Sequence, residues 1–416
     1  MLLKSIIAEM QHKYITRSLE PVIKKAASEF PAVFLTGPRQ SGKTTLLKAL
    51  FGDHYQYISV ELPDLRAAAI ADPRGFLEQY HPPVIIDEIQ HAPDLLFYIK
   101  GKIDDHRDQV GQFILTGSQN LLLNDKITES LAGRVAVLEL FPLSKREEEG
   151  VPHEPMIWEH AGRQNSKKGF GFRDLWKNFL RGGYPELVVD TDRDVSLWHS
   201  SYTQTYLERD VRSLRQIGDL LQFQSFLKVL AARSGQLLNL TDVSRDLGVG
   251  VNTIKSWLSI LEATYQVTVL RPYHANIGKR LVKTPKVYYS DVGTLCHLVG
   301  LKDPEHAAAG SMGGVIFETA VLSEIKRTLT HQGIRPEIYF WRMYDGTEVD
   351  FLVKTEAGFV PIEVKLSATP NPAMVASIKT LRKHLGNALR SGYLIHPGDV
   401  RLPLGNQVTA IPFAQL

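Results

Sequence analysis

Between Leu19 and about Gln119, short apolar runs alternate with stretches of helical periodicity. The runs are Ala32 to Leu35, Tyr57 to Val60, Val84 to Ile86 and Phe113 to Leu115, with a fifth at Val135 to Leu140. Each is apolar throughout and ends in turn or polar residues, as strands buried on both faces do, so the pattern predicts a parallel sheet covered by helices. The periodicity fails at Lys145 to Gly150 and again from Gly162 to Gly171, which predicts a linker or irregular insertion. A helix resumes near Phe172. From Asp219 the order is three helices and two strands: Leu220 to Arg233, Thr241 to Leu247, Val251 to Ala263, Gln266 to Arg271 and Lys286 to Tyr289. That is the order of a winged helix-turn-helix, with Thr241 and Asn252 as expected N-caps and Gly248 and Gly250 in the tight turn. After a loop rich in Ala and Gly (Ala307 to Gly314), a long helix is expected from Val315 to Leu329. Strands at Glu337 to Arg342, Glu348 to Lys354 and Phe359 to Leu366, a helix at Pro372 to Leu385 and a strand at Gly392 to His396 complete the pattern. The expected fold class is α/β in three parts: a parallel-sheet domain (1–145), a helical and winged-helix domain (146–300) and an α/β C-terminal domain (301–416).

Length agrees with that division, because 416 residues exceed the roughly 250–300 at which a single core stops growing. A formal net charge of +3 is too small to indicate a polyanionic partner by itself, so local basic clusters must carry any such argument. The lone cysteine, Cys296, excludes an internal disulfide and a CxxC metal cluster, suits a reducing compartment, and sits between leucines as a buried thiol does. No apolar run approaches the ~20 residues of a membrane span, and the N-terminus lacks the apolar core of a signal peptide. A cytoplasmic protein with no membrane partner is expected.

The chemistry is most explicit at Gly37-Pro38-Arg39-Gln40-Ser41-Gly42-Lys43-Thr44, which fits GxxxxGK[ST] between a strand and a helix. Glycines there let backbone amides curl around phosphates, Lys43 adds charge at the β- and γ-oxygens, and the Thr44 hydroxyl can ligate Mg²⁺, with Thr45 beside it. The strand ending in Asp87-Glu88 supplies one carboxylate to hold Mg²⁺ through water and a second to polarise the attacking water. At the end of Phe113 to Leu115, Ser118 or Gln119 can orient the same water. ATP and Mg²⁺ are therefore the expected cofactors and ATP hydrolysis the expected activity. The order of these features resembles the AAA-like branch of P-loop ATPases over about residues 15 to 145. The resemblance implies a polar sensor at Ser118 or Gln119, and a helix-end arginine reaching a neighbouring subunit's site, for which Arg134 is the candidate. Arg181-Gly182-Gly183-Tyr184-Pro185-Glu186 resembles the lid segments of related ATPases, in which a Gly-x-Pro turn lies near the adenine.

The helix Val251 to Ala263 would present Asn252, Thr253, Lys255, Ser256 and Ser259 outward, and the hairpin that follows carries Gly278, Lys279, Arg280, Lys283 and Lys286, a basic wing suited to phosphate contacts on DNA. In the C-terminal part, Glu363 and Lys365 share one strand face, and Asp350 on a paired strand can meet them. Two carboxylates bind a hard cation, and a lysine beside it can position or help deprotonate water. This spacing resembles the PD-(D/E)xK nucleases over about residues 313 to 400. The resemblance implies that Asp350, Glu363 and Lys365 occupy the metal and catalytic positions and that Glu318 is the additional helical carboxylate, while Val349 stands where the motif has proline. The three parts together resemble prokaryotic AAA-like ATPases with an appended restriction-endonuclease-like domain. The leading expectation is an ATP-driven protein that binds and processes DNA, with a structure-specific substrate and homo-oligomers within its scope. The rival is a regulatory ATPase switch that binds protein partners and keeps a nuclease fold that does not cleave.

Overall fold

The computed structural model describes residues 14–118, 131–159, 171–206, 220–273 and 283–416. Five strands, β1 (Ala32–Thr36), β2 (Gln56–Ser59), β3 (Val84–Asp87), β4 (Phe113–Gly117) and β5 (Val135–Glu139), form an all-parallel sheet in the order β2-β3-β4-β1-β5. The strands β1, β3 and β4 are buried along their whole length, which is why their sequences are apolar without alternation. Residues of alternate parity feed separate clusters on the two faces of the sheet: Ala32, Phe34, Ile86 and Leu115 on one, Val33, Leu35, Ile85 and Ile114 on the other.

The segment Lys145 to Gly150, expected as a linker, is instead an ordered and partly buried turn of helix (Lys145–Glu148). A capping box explains it: Ser144 accepts from the Glu147 amide, while the Glu147 carboxylate accepts from the Ser144 amide. The three helices and two strands expected of the middle region fall at Leu220–Ala232, Leu240–Leu247, Val251–Ala263, β6 (Val267–Leu270) and β7 (Lys286–Tyr289), the last two antiparallel. Their caps differ from expectation. Asn239 caps the second helix by accepting from the Thr241 and Asp242 amides, and Gly250 holds the N-cap of the third, so Thr241 and Asn252 lie in first turns. Gly248 ends the second helix in the left-handed region.

The C-terminal part runs long helix (Gly313–His331), β8 (Ile338–Arg342), β9 (Glu348–Thr355), β10 (Gly358–Val364), helix (Ala376–Leu385), β11 (Gly392–His396), β12 (Leu402–Gly405) and β13 (Val408–Pro412). Its six-stranded sheet has the order β12-β13-β11-β10-β9-β8, with β8, β9 and β10 an antiparallel meander and β11 parallel to β10. One hydrophobic cluster runs from Met156 and Trp176 through the middle region (Phe226, Trp257, Tyr288) to Phe317, Phe351 and Leu416. The middle and C-terminal regions thus share a core. Cys296 is buried within it, and no helix among the described residues is long and apolar enough to cross a membrane.

Candidate functional site

Every strand of the first sheet points its C-terminal end at one rim, and the motif residues gather there. Gly37 has φ +143°, and a Cβ on it would stand 2.1 Å from the carbonyl oxygen of Leu140, so only glycine allows the loop to turn this tightly under β5. Gly42 is left-handed (φ +93°) and caps the helix Lys43–Phe51. Lys43 is buried and donates to the carbonyls of Gly37 (2.9 Å) and Pro38 (2.8 Å), its ammonium held across the mouth of the loop. Thr44 Oγ1 donates to Asp87 Oδ2 at 2.9 Å, which joins the two residues expected at Mg²⁺. A cavity of about 560 Å³ opens from the loop, lined by Arg39, Lys43, Thr44, Thr45 and Glu88 and by Tyr14, Arg17, Pro185 and Tyr202. The Pro185 and Glu186 of the lid-like segment therefore lie at this cavity.

Three polar residues that sequence reasoning did not single out complete the rim. Tyr57 donates to Asp87 Oδ2 at 2.6 Å, and burial together with the Asp87 charge pushes its phenol well above the ordinary range. The Thr116 hydroxyl accepts from the Glu88 amide at 3.1 Å and donates to Asp87 Oδ1. Gln90 bridges the Glu88 carboxylate and Ser118 Oγ, so Ser118 acts on Glu88 through Gln90. Thr116 had a visible signal, a polar residue ending an apolar strand, whereas Tyr57 had none. Gln119, the other sensor candidate, lies outside the described residues. Arg134 sits at the opposite end of the sheet, where its carbonyl accepts from the first amide of β1, and its guanidinium forks onto Asp104 at 2.8 and 3.1 Å. It does not reach its own chain's cavity.

The second candidate site lies on β9 and β10. Asp350 Oδ2 accepts from the Val364 amide at 2.7 Å, and Lys365 Nζ lies 3.4 Å from Asp350 and 2.8 Å from Glu363. Glu363 also accepts from Ser377 on the following helix. Burial, and then the Asp350 charge, push the Glu363 carboxyl up to about 8, against the opposing pull of Lys365 and Ser377. Asp350, Glu363 and Lys365 are thus brought together as their spacing suggests.

Lys286 is not where the sequence reading put it, whereas Glu318 lies on the long helix close enough to Asp350 to feel its charge. Lys286 is buried and pairs with Glu318 at 3.3 Å and with Glu348, so it is no wing contact for DNA phosphates. Its place as the first residue of β7, buried over the Phe340 ring between two carboxylates, is the physical reason. Glu318 also accepts from Tyr288; burial and the Asp350 charge push it up to about 7, with Lys286 opposing. The three-carboxylate ligand set expected of Glu318, Asp350 and Glu363 is not assembled, and among the described residues no group of three or more His, Cys, Asp or Glu side chains is arranged to hold a metal ion. Lys283 is exposed, and Lys279 and Arg280 lie outside the described residues.

The family match over the first sheet agrees with the first site. The AAA domain family matches residues 29–148, and two domains of unknown function, DUF8612 and DUF4143, match residues 172–305 and 313–416. Uncharacterized proteins of Mycobacterium bovis and Mycobacterium tuberculosis are each 30% identical over 397 residues, which span 95% of this chain and 82% of theirs. Among solved structures, a Walker-type ATPase of Pyrococcus abyssi aligns with a TM-score of 0.46 at 16% identity, covering 69% of this chain and 97% of that one.

Proposed function

We propose that this chain, which belongs to the same family as the two mycobacterial proteins, is an ATPase that binds and processes DNA, its C-terminal site acting on the phosphodiester backbone. The AAA domain makes it an NTP-hydrolysing protein, and the rim residues divide the work. Lys43 exchanges its two carbonyl partners for the β- and γ-phosphates, and Thr44 and Asp87 are the residues that would hold Mg²⁺. The cation would supply positive charge against the phosphoryl oxygens. Glu88 faces the cavity and polarises the attacking water, with Gln90 and Thr116 fixing its side chain and backbone.

The single observation that carries the DNA reading is the convergence of Asp350 and Glu363 on Lys365, at 3.4 and 2.8 Å, at the end of an antiparallel meander. Asp350 and Glu363 are hard oxygen donors of the kind that hold Mg²⁺ or Mn²⁺, and Lys365 is in place to position a water. The polar face of the helix Val251–Ala263, with Asn252, Thr253, Lys255 and Ser259 exposed, supports a duplex contact. The test is cleavage of junction, flap, single-stranded and duplex DNA with either metal, with and without ATP. Activity lost in Asp350→Ala and Glu363→Ala supports the reading. Cleavage that persists in Asp350→Ala assigns it to another site.

One observation favours a second reading, a regulatory ATPase switch with a C-terminal domain that does not cleave. Lys286 occupies the carboxylates beside Asp350 with an internal cation. Absence of cleavage by wild-type protein on every substrate, together with salt-independent or undetectable DNA binding, selects this reading.

A further inference from the structure

We propose that Arg17 is a positioning residue of the nucleotide site and that, through it, occupancy of that site is transmitted to the long helix Gly313–His331. The proposal rests on the reading of the cavity as the ATP site. Arg17 precedes the first strand, is 3% exposed and forms part of the cavity wall. Its Nη1 donates to the carbonyl of Ser41 inside the phosphate loop at 2.8 Å, and its Nη2 donates to the carbonyl of Phe141 at 2.7 Å. Its Nε lies 3.2 Å from Glu147. Glu147 in turn accepts from His331 Nδ1 at 3.1 Å, and His331 Nε2 accepts from the Phe141 amide at 3.1 Å. The contacts form a closed ring: Arg17 holds the carbonyl of Phe141, the neutral His331 ring holds its N–H, and Glu147 joins the guanidinium to the imidazole.

Both ends of this ring are mechanically informative. At one end, the phosphate loop touches the same segment again, since Gly37 packs under the Leu140 carbonyl. Lys43 must release the carbonyls of Gly37 and Pro38 to reach phosphate, and Ser41 lies between those residues and Lys43 in the loop. At the other end, the long helix grips the 141–148 segment with one face. Glu324 accepts from the Lys145 amide at 2.9 Å, Arg327 donates to the Leu143 carbonyl at 3.0 Å, Arg146 donates to Thr328 at 3.4 Å, and His331 closes the set. Residues 324, 327, 328 and 331 are spaced as one helical stripe. The same helix carries Glu318 about 20 Å away, beside Asp350. A loop that changes shape on binding phosphate therefore pulls on a packed, hydrogen-bonded element that reaches the C-terminal site.

The experiment is hydrogen exchange of the full chain with and without a non-hydrolysable ATP analogue and Mg²⁺, alongside analogue affinity by fluorescence. Amides in 141–148 and 324–331 are expected to exchange about tenfold more slowly with analogue bound. Arg17→Met is expected to raise the KM for ATP at least tenfold and to remove the response at 324–331, and Arg17→Lys to restore part of both. His331→Leu should lose the response at 324–331, and His331→Gln, which can still accept from Phe141 and donate to Glu147, should recover it. Binding of analogue without any change at 324–331 in the wild type overturns the proposal, even where the variants fail to fold. A lower melting temperature in Arg17→Met with unchanged KM and exchange response makes Arg17 structural only and also overturns it. No binding of analogue at all refutes instead the ATP-site reading on which the proposal stands.

Discussion

At the residue scale, the phosphate loop makes the sharpest demand. Lys43→Ala removes the buried ammonium that already spans the loop, and ATP turnover is expected to fall by at least about a hundredfold. Glu88→Gln is expected to bind ATP with near-normal affinity while turnover falls comparably, because binding and water activation rest on different groups. Steady-state turnover and equilibrium nucleotide binding check both; normal turnover in Lys43→Ala refutes the site. His331 carries a pH prediction. Burial outweighs the pull of Glu147 and lowers its pKa, so the fold favours the neutral ring. A folded-state pKa below the unfolded value gives stability that is complete above about 6.5 and lost as pH falls below it. Wild type should therefore lose more thermal stability than His331→Gln between pH 7.5 and 5.5. Parallel melting curves for the two proteins across that interval would show that His331 carries no such linkage.

Elements decide how these side chains are aimed. The turn after β1 exists because Gly37 has no Cβ, so Gly37→Ala forces the Leu140 carbonyl aside or opens the loop, at a cost of roughly 1–3 kcal/mol, and nucleotide binding should be lost before the fold is. Nucleotide titration against a melting curve separates those two effects. Neighbouring strands β9 and β10 gather Asp350, Glu363 and Lys365 because strand alternation puts Glu363 on the same face as Lys365 and the antiparallel register brings Asp350 alongside. For this site, Lys365→Ala should slow cleavage while leaving Mn²⁺ binding measurable by titration, whereas Asp350→Ala should remove both. Loss of Mn²⁺ binding in Lys365→Ala would make the lysine structural.

For the whole molecule, the shared core matters more than the order of domains along the chain. Phe226 and Trp257 of the middle region, Phe317 of the long helix and Phe351 of β9 belong to one cluster, so a fragment of residues 301–416 would expose much of that surface. Such a fragment is expected to bind a hydrophobic dye and to associate, while residues 146–416 fold cooperatively; sedimentation and near-ultraviolet circular dichroism distinguish the two. A monomeric, dye-silent fragment 301–416 would show that the C-terminal part stands alone. Arg134 belongs to this scale as well. Held by Asp104 at the far end of the sheet, it can act on nucleotide only in a second copy and only after leaving that carboxylate. Arg134→Ala should then depress turnover, and wild-type turnover per chain should rise with concentration. Concentration-independent turnover removes the role.

What the sequence determined by itself was local. A glycine-lysine-threonine loop after an apolar strand, an Asp-Glu pair ending the next buried strand, and Glu363 and Lys365 two apart in a strand are properties of consecutive residues, and local backbone geometry is enough to read them. So were the five parallel strands and the three helices of the middle region, because a strand buried on both faces and an amphipathic helix each leave a periodic trace. The strands β12 and β13 and the short helices Val292–Leu298 and Pro304–Ala309 were not predicted: β12 carries a proline and ends in glycine, and each helix spans about two turns or fewer. Only the tertiary structure decided which charges meet. Lys286 reads as a basic wing residue until β7 turns it onto Glu318 and Glu348. Glu147 reads as part of a charged linker until Arg17 and His331 close on it from either side. Partners separated by 32 to 184 residues leave no spacing to read, and a buried charge, costly unless paired, is placed by whatever the packing brings within reach.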